Sequence, residues 1–411
     1  MASGVDPYRE IYSRRTEQMS GSEIRALFSV LERPEIVSLA GGNTYTDAVA
    51  GRVAECVQAV LARASGVALQ YGPGTGLLGL RERLCDLMAL EGIDADPHHV
   101  VVTDGAQQGL ELIAKVFVDP GDVILTEAPT YVGALSAFSS YQVNARSVPI
   151  DEEGLIPEEL ARTIIDLHGE GRRAKFLYMV PTFQNPSGVT LTPSRRAEIL
   201  EVCRRSDLLI IEDNPYAQVR FSGDPVTPLR ALAPDQVVYL GTLSKVFSPG
   251  IRIGWVLAPQ PIRERLVLAK EAANLCTAPF NQMVAEEYLS SGSTEEDLQI
   301  VRKVYRERCQ AMLDAIDRHL PREVVVRPPE GGLFVWVTVT DPLNTRDMLA
   351  RALRGGVAYV PGTAFYPVKT DGKQSMRLNF SYPSIEQIEE GVERLGRVLD
   401  EELELGRSLG I

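Results

Sequence analysis

Histidine is scarce in this chain: four occur in 411 residues, and the adjacent pair His98-His99 lacks the helical spacing of a metal-binding motif. A metal-dependent hydrolase would need more ligands than these. The five cysteines (Cys56, Cys85, Cys203, Cys276, Cys309) are odd in number, scattered, and without a CxxC pair, which argues against a disulfide framework or a zinc knuckle. No apolar run reaches the length of a membrane span, and the N-terminal MASGVDPYREIYSRRTEQMSGSEI has no apolar signal-like core. A soluble, cytoplasmic protein with no membrane partner is expected. Positive charge is in deficit, 42 Lys+Arg against 55 Asp+Glu, a formal net charge of -13. General affinity for nucleic acid is therefore not expected. Repeats, low-complexity tracts and Pro/Gly/Ser linkers are also missing, so the domains of a chain this long should pack together rather than hang on tethers.

What is present is alternation. Short Val/Ile/Leu runs end in polar, Gly or Pro residues and give way to helical patterns: VVVTDGAQQGLELIAKVF (101–118), VILTEAPTY (123–131), FLYMVPTFQNPSG (176–188), LLIIEDNPY (208–216), VVYLGTLSK (237–245) and IRIGWVLAP (251–259). Near-continuous apolar strands separated by helices predict an α/β domain with a mostly parallel sheet covered on both faces. From about residue 260 the texture changes to long charged helices, the strands EGGLFVWVTV, AYVPGTAF and MRLNFS, and an amphipathic C-terminal helix. These predict a smaller α+β domain. The expected division is an N-terminal arm over 1–45 packing with the small domain, a large ligand-binding domain over 46–285, and a linking helix with the small domain over 286–411.

Ligands of open parallel sheets bind beyond the carboxyl ends of the strands. At those ends stand Asp104-Gly105-Ala106-Gln107, Glu127 to Tyr131, Gln184-Asn185, Asp213-Asn214-Pro215-Tyr216 and Thr242-Leu243-Ser244-Lys245. The stretch GTLSKVFSPGIRIGW adds Arg252, seven residues after Lys245, in an otherwise apolar run. Pyridoxal 5'-phosphate wants this set. Its aldehyde is captured by a lysine whose pKa is lowered by burial and a neighbouring cation, here Lys245 and Arg252. Its ring nitrogen needs a carboxylate, and Asp213 ends the most apolar strand. Asn185 and Tyr216 suit the ring oxygen, Tyr131 can stack on the ring, and Gly105, Ala106, Thr242, Ser244 and Arg252 suit the phosphate.

With these residues in order, the chain resembles the fold-type-I enzymes of the class I/II aminotransferase family, in particular the 2-aminoadipate and kynurenine aminotransferase branch. The resemblance runs from SEIRALFSVLERPEIVSLAGG through LQYGPGTGLLGLRERL, TDGAQQGLEL, EAPTYVGAL, VPTFQNPSGVTLT, EDNPYAQVRF and LSKVFSPGIRIGW to PGTAFYP and MRLNFS. It implies a large domain with a mostly parallel seven-stranded sheet and a homodimer with shared active sites. It implies that Lys245 forms the Schiff base (internal aldimine) and shuttles the proton, with Asp213 and Tyr216 as its catalytic partners. Gly105, Ala106, Gln107, Thr242, Ser244 and Arg252 would hold the phosphate, with Tyr71 reaching in from the second subunit. Arg377 would grip the substrate α-carboxylate, with Asn185 and Gly42 beside it, and Arg25 and Asn43 would face the substrate side chain. The partners implied are an α-amino acid and a 2-oxo acid, exchanged by a ping-pong mechanism.

Taken singly these residues have plainer readings. Asp213 fits an Asx turn before Pro215, Asn185 fits turn chemistry before Pro186, and Tyr71, Tyr131, Arg25 and Arg377 fit ordinary core, surface or ion-pair roles. GTGLLG (74–79) is a literal GxGxxG after a possible strand and before a helix, which would suit an NAD-binding dehydrogenase, although Gly72, Pro73 and Gly74 break the tight turn it needs. Some relatives of the branch are DNA-binding regulators, but no helix-turn-helix pattern precedes the large domain. One departure stands out: the branch carries GGxPxxxxFP where this chain has GGNTYTDAVAG (41–51). Hydrogen-bonding groups there suit a drifted loop, a polar substrate, or an altered reaction such as elimination, replacement or condensation.

Overall fold

The computed structural model describes residues 6–18 and 33–409. In chain order the strands are β1 (Val37–Ser38), β2 (Val100–Thr103), β3 (Val123–Ala128), β4 (Asn144–Asp151), β5 (Gly154–Leu155), β6 (Ala174–Met179), β7 (Leu209–Asp213), β8 (Val237–Thr242), β9 (Gly254–Leu257), β10 (Val324–Val326), β11 (Phe334–Val339), β12 (Val357–Ala358), β13 (Val360–Pro361) and β14 (Ser375–Asn379). The large sheet has the order β2-β9-β8-β7-β6-β3-β4-β5. Seven of its strands make the body of the sheet, and the two-residue β5 is a hairpin return from β4. The β8, β7, β6, β3 and β4 strands are parallel; β9 runs against both β2 and β8.

The apolar runs become strands because helices cover both faces. All residues of β2, β8 and β9 are buried, the pattern of a sheet shielded on both sides. Helix Ala106–Phe117 buries Leu110, Leu112, Ile113 and Ala114 against the sheet. A second sheet, antiparallel throughout, has the order β10-β11-β14-β13. Helices Thr294–His319 and Ile385–Leu409 belong with it, and β1 pairs with β12 in parallel, which ties the segment after Pro34 to this part of the chain. No helix among the described residues is long and apolar enough to cross a membrane.

The reversal of β9 decides where the site forms. Strands β2, β3, β6, β7 and β8 all end on one edge of the sheet, and β9 begins there. The residues just before β9 therefore meet the residues just after its neighbours, and Arg252 arrives beside Gly105 and Ser244.

Candidate active site

Helix Ala106–Phe117 starts from Gly105, whose φ of +77° suits glycine. The free N–H groups and the dipole of that helix end favour an anion. Arg252 lies over it: Nη2 donates to the Asp104 carbonyl at 3.1 Å, and Nη1 is 3.5 Å from Ser244 Oγ. Thr242 Oγ1 donates to Ser244 Oγ at 2.9 Å. A Cβ on Gly105 would collide with the Arg252 guanidinium, and one on Gly254 would stand 2.5 Å from the Ala106 backbone nitrogen. Arg252 holds a left-handed backbone at φ +54°, a strain of about 1–3 kcal/mol for a residue with a side chain. The result is a cup with helix N–H groups, two hydroxyls and a cation, the chemistry of a phosphate site.

Asp213 closes β7 and is 3% exposed. Its Oδ2 accepts from Tyr178 Oη at 2.8 Å, while Oδ1 has no partner. Burial raises its pKa to about 7. An orphaned carboxylate oxygen in such a place is costly, and a protonated ring nitrogen is the donor that would satisfy it. Asn185 Nδ2 donates to Tyr216 Oη at 3.2 Å, which brings the two expected ring-oxygen ligands together. Tyr131 opens helix Val132–Ser139, with its Oη 3.4 Å from Gln107 Oε1, and Gln107 Nε2 donates to the Gly133 carbonyl at 2.8 Å.

Lys245 Nζ donates to the Gly42 carbonyl at 3.0 Å. Its pKa is pulled down to about 8 by burial, then by Arg377 and Arg252. The expected cation is thus present, although Arg377 outweighs the nearer residue in sequence. Arg377 on β14 is 2% exposed and has no carboxylate partner among the described residues. Nη1 donates to Asn185 Oδ1 at 3.0 Å, Nη2 to the Ala40 and Gly41 carbonyls, and Nε to nothing. The guanidinium lies 3.9 Å from the Phe334 ring centroid, and burial lowers its pKa to about 10. A buried cation without a counter-ion is a strong demand for an anion.

These groups face one cavity of about 530 Å³. Gly42, Asn43, Ala106, Gln107, Tyr131, Asn185, Asp213, Tyr216, Thr242, Ser244, Lys245, Arg252 and Arg377 all line it. Gly105 stands behind it as the helix cap. Tyr71 does not enter it: the residue is 78% exposed and lines a separate cleft with Asp104, Arg252 and Asn274. Arg25 lies outside the described residues.

A class I and II aminotransferase family model matches residues 34–395. The chain belongs to the class I and II aminotransferases. It is a pyridoxal phosphate-dependent enzyme that transfers amino groups. It is 40% identical to the aromatic-amino-acid aminotransferase 1 of Thermococcus litoralis over 96% of this chain and 95% of that protein. It is 37% identical to the 2-aminoadipate transaminase of Thermus thermophilus, over 95% and 97%. A kynurenine aminotransferase from Pyrococcus horikoshii, solved in complex with PMP, superposes with a TM-score of 0.92 at 40% identity, over 97% of this chain and 98% of that one.

In this aminotransferase the GTGLLG stretch is not a dinucleotide fingerprint. The residues before it end helix Ala50–Ala68 rather than a strand, so the strand-turn-helix unit that the motif requires is missing. Supporting residues that a single sequence does not point to complete the site. Tyr178 holds Asp213. Buried Glu127 accepts from the Val180 N–H at 2.9 Å and from Gln184 Nε2 at 3.3 Å, and Gln184 Oε1 accepts from the Ser187 N–H, so the turn carrying Asn185 is pinned on both sides. Glu127 and Gln184 were visible at the strand ends; nothing in one sequence says that they meet.

Proposed function

We propose that this aminotransferase uses Lys245 as its cofactor-holding and proton-transferring residue, and Arg377 as the grip for the α-carboxylate of both the amino acid and the 2-oxo acid. The observation that carries this reading is the buried, unneutralised Arg377 facing the same cavity as Lys245. Gly105, Ala106, Gln107, Thr242, Ser244 and Arg252 would hold the phosphate, Asp213 the ring nitrogen, and Asn185 with Tyr216 the ring oxygen. Pyridoxal 5'-phosphate, once bound, supplies the ring that takes up the electron pair left when a bond at the substrate Cα breaks.

The chain's own groups do the rest. Arg377 and Asn185 fix the carboxylate and so the rotation of Cα relative to Lys245. Lys245, held down to about pH 8, has a neutral amine available near neutrality and takes the Cα proton as a general base. Asp213 stays ionised opposite a cation, and Tyr178 keeps it in place. Donor and acceptor use the same carboxylate grip in turn, which gives ping-pong kinetics. We further place the protein in the cytoplasm and read it as a homodimer with Tyr71 serving the partner's site; the exposure of Tyr71 and its absence from its own cavity support the shared site.

The test is a panel of amino donors with 2-oxoglutarate or pyruvate, following oxo-acid formation and the visible absorption of the protein. Aromatic amino acids, kynurenine and 2-aminoadipate lead the panel because relatives carry those names. Polar side chains follow because Asn43 lines the cavity. We expect turnover with some donor and a loss of at least about a thousandfold in Lys245→Ala. Release of a β- or γ-substituent with no oxo-acid exchange would sink the reading.

A further inference from the structure

Three successive backbone carbonyls accept from the two cations of the site. Arg377 Nη2 donates to Ala40 O at 3.0 Å and Gly41 O at 3.3 Å, and Lys245 Nζ donates to Gly42 O at 3.0 Å. The carbonyls of this strap are neutral, so they orient the guanidinium without supplying the anion that it lacks, and its Nε stays unpartnered. Two of its residues are glycine, and no proline occurs between Pro34 and Pro73, so the chain is intrinsically loose here. Upstream it is fixed by backbone bonds: the Leu39 N–H donates to Ala358 O, and the Asn379 N–H donates to Leu39 O at 2.8 Å.

Downstream the anchors are side chains. Ser381 Oγ donates to Asn43 O at 2.6 Å and accepts from Asn379 Nδ2 at 2.8 Å. The Tyr45 N–H donates to Tyr305 Oη at 3.1 Å. Tyr305 comes from helix Thr294–His319, is fully buried, and packs edge-on against Phe380 with centroids 6.3 Å apart. Neither hydroxyl lines the cavity.

We propose that Tyr305 and Ser381 are positioning residues for amino-group transfer: their hydroxyls fix the downstream end of the strap, and with it the carbonyls that orient Arg377 and hold Lys245. This rests on the roles assigned to Arg377 and Lys245 above. In this chain the GGNTYT segment replaces ring rigidity with hydrogen bonds reached from a helix and from the bend just after β14, both far along the sequence.

Tyr305→Phe and Ser381→Ala each remove one pin and keep the packing. In the holoenzyme each should raise KM for the amino donor and for the 2-oxo acceptor together, by about five- to tenfold, the size of one lost hydrogen bond. The change in kcat should be smaller, and the melting temperature nearly constant. The double variant should fall short of the product of the single effects, because both pins act on one segment. In cofactor-free protein, backbone amides of residues 41–45 should exchange with deuterium faster in both variants while those of β7 and β8 do not change. Unchanged KM values, a rise for one substrate only, or faster exchange without a KM effect would each overturn the proposal. Arg377→Ala is the reference: if it leaves both KM values unaltered, the carboxylate grip itself is misassigned and the positioning role falls with it. If it raises both and the pin variants do not, only the positioning role is lost.

Discussion

Burial keeps Asp213 protonated to about pH 7, Glu91 to about 7 and Glu127 to about 8. In the unfolded chain the same groups release their protons near pH 4. Between these limits the folded, cofactor-free protein binds protons that the unfolded chain has lost, so stability falls as pH rises. Lys245 acts only above this window: with its pKa at about 8 instead of 10.5, the folded state binds fewer protons than the unfolded one, and stability rises from about pH 8 upward. The melting temperature of the cofactor-free protein should therefore decline from pH 5 to 8. Asp213→Asn should make that decline shallower, and added cofactor should do the same in the native chain by giving Asp213 a cation. A decline equally steep in Asp213→Asn would assign the effect to other groups. At this scale the groups that touch the ligand were legible, because lysine, arginine, aspartate and asparagine stood at strand ends. Tyr178 was not, since its hydroxyl meets Asp213 only through the pairing of β6 with β7, Tyr178 opposite Ile211.

Among the elements, the apolar runs announced the strands, but not that β9 is reversed. IRIGWVLAP reads like any other buried strand. The clue is the connection: from Thr242 to Gly254 the chain has no room for the crossover of a dozen or more residues, usually helical, that joins parallel neighbours. A hairpin return was the consequence, and it brings Arg252 to the helix cap. Two glycines make that approach possible and separate two effects. Gly254→Ala drives a Cβ into backbone of residues 105 and 106, which cannot yield. Gly105→Ala meets the end of a flexible arginine but forces a side chain onto φ +77°. Gly254→Ala should lower the melting temperature of cofactor-free and cofactor-loaded protein alike. Gly105→Ala should weaken cofactor binding by about tenfold or more, at a backbone cost of about 1–3 kcal/mol, read by titrating the cofactor-free protein. Equal cofactor affinity in Gly105→Ala and native protein would contradict the reading of the cup.

For the whole molecule, the proposed dimer makes a prediction that a single chain cannot. Leu69 and Tyr71 are 76% and 78% exposed, beside a cleft that reaches Arg252 from outside the active cavity. If Tyr71 serves the partner's site, Tyr71→Ala and Lys245→Ala chains, each impaired alone, should complement when unfolded and refolded together. Half of the dimers formed are mixed and each carries one intact site, so the mixture should recover roughly a quarter of native activity. Recovery no greater than the sum of the parents would place Tyr71 in its own subunit's site or nowhere. Assembly of this kind was legible only through family resemblance, because an exposed tyrosine in one sequence carries no address. The hairpin between β8 and β9 has a last consequence. Its two limbs leave and rejoin the sheet at Thr242 and Gly254, so a ligand gripped by Lys245 on one limb and Arg252 on the other works as a removable staple. Without the staple, the bend at Pro249–Ile251 is the place where a protease should first find purchase, and nicking there becomes a gauge of how many molecules are loaded.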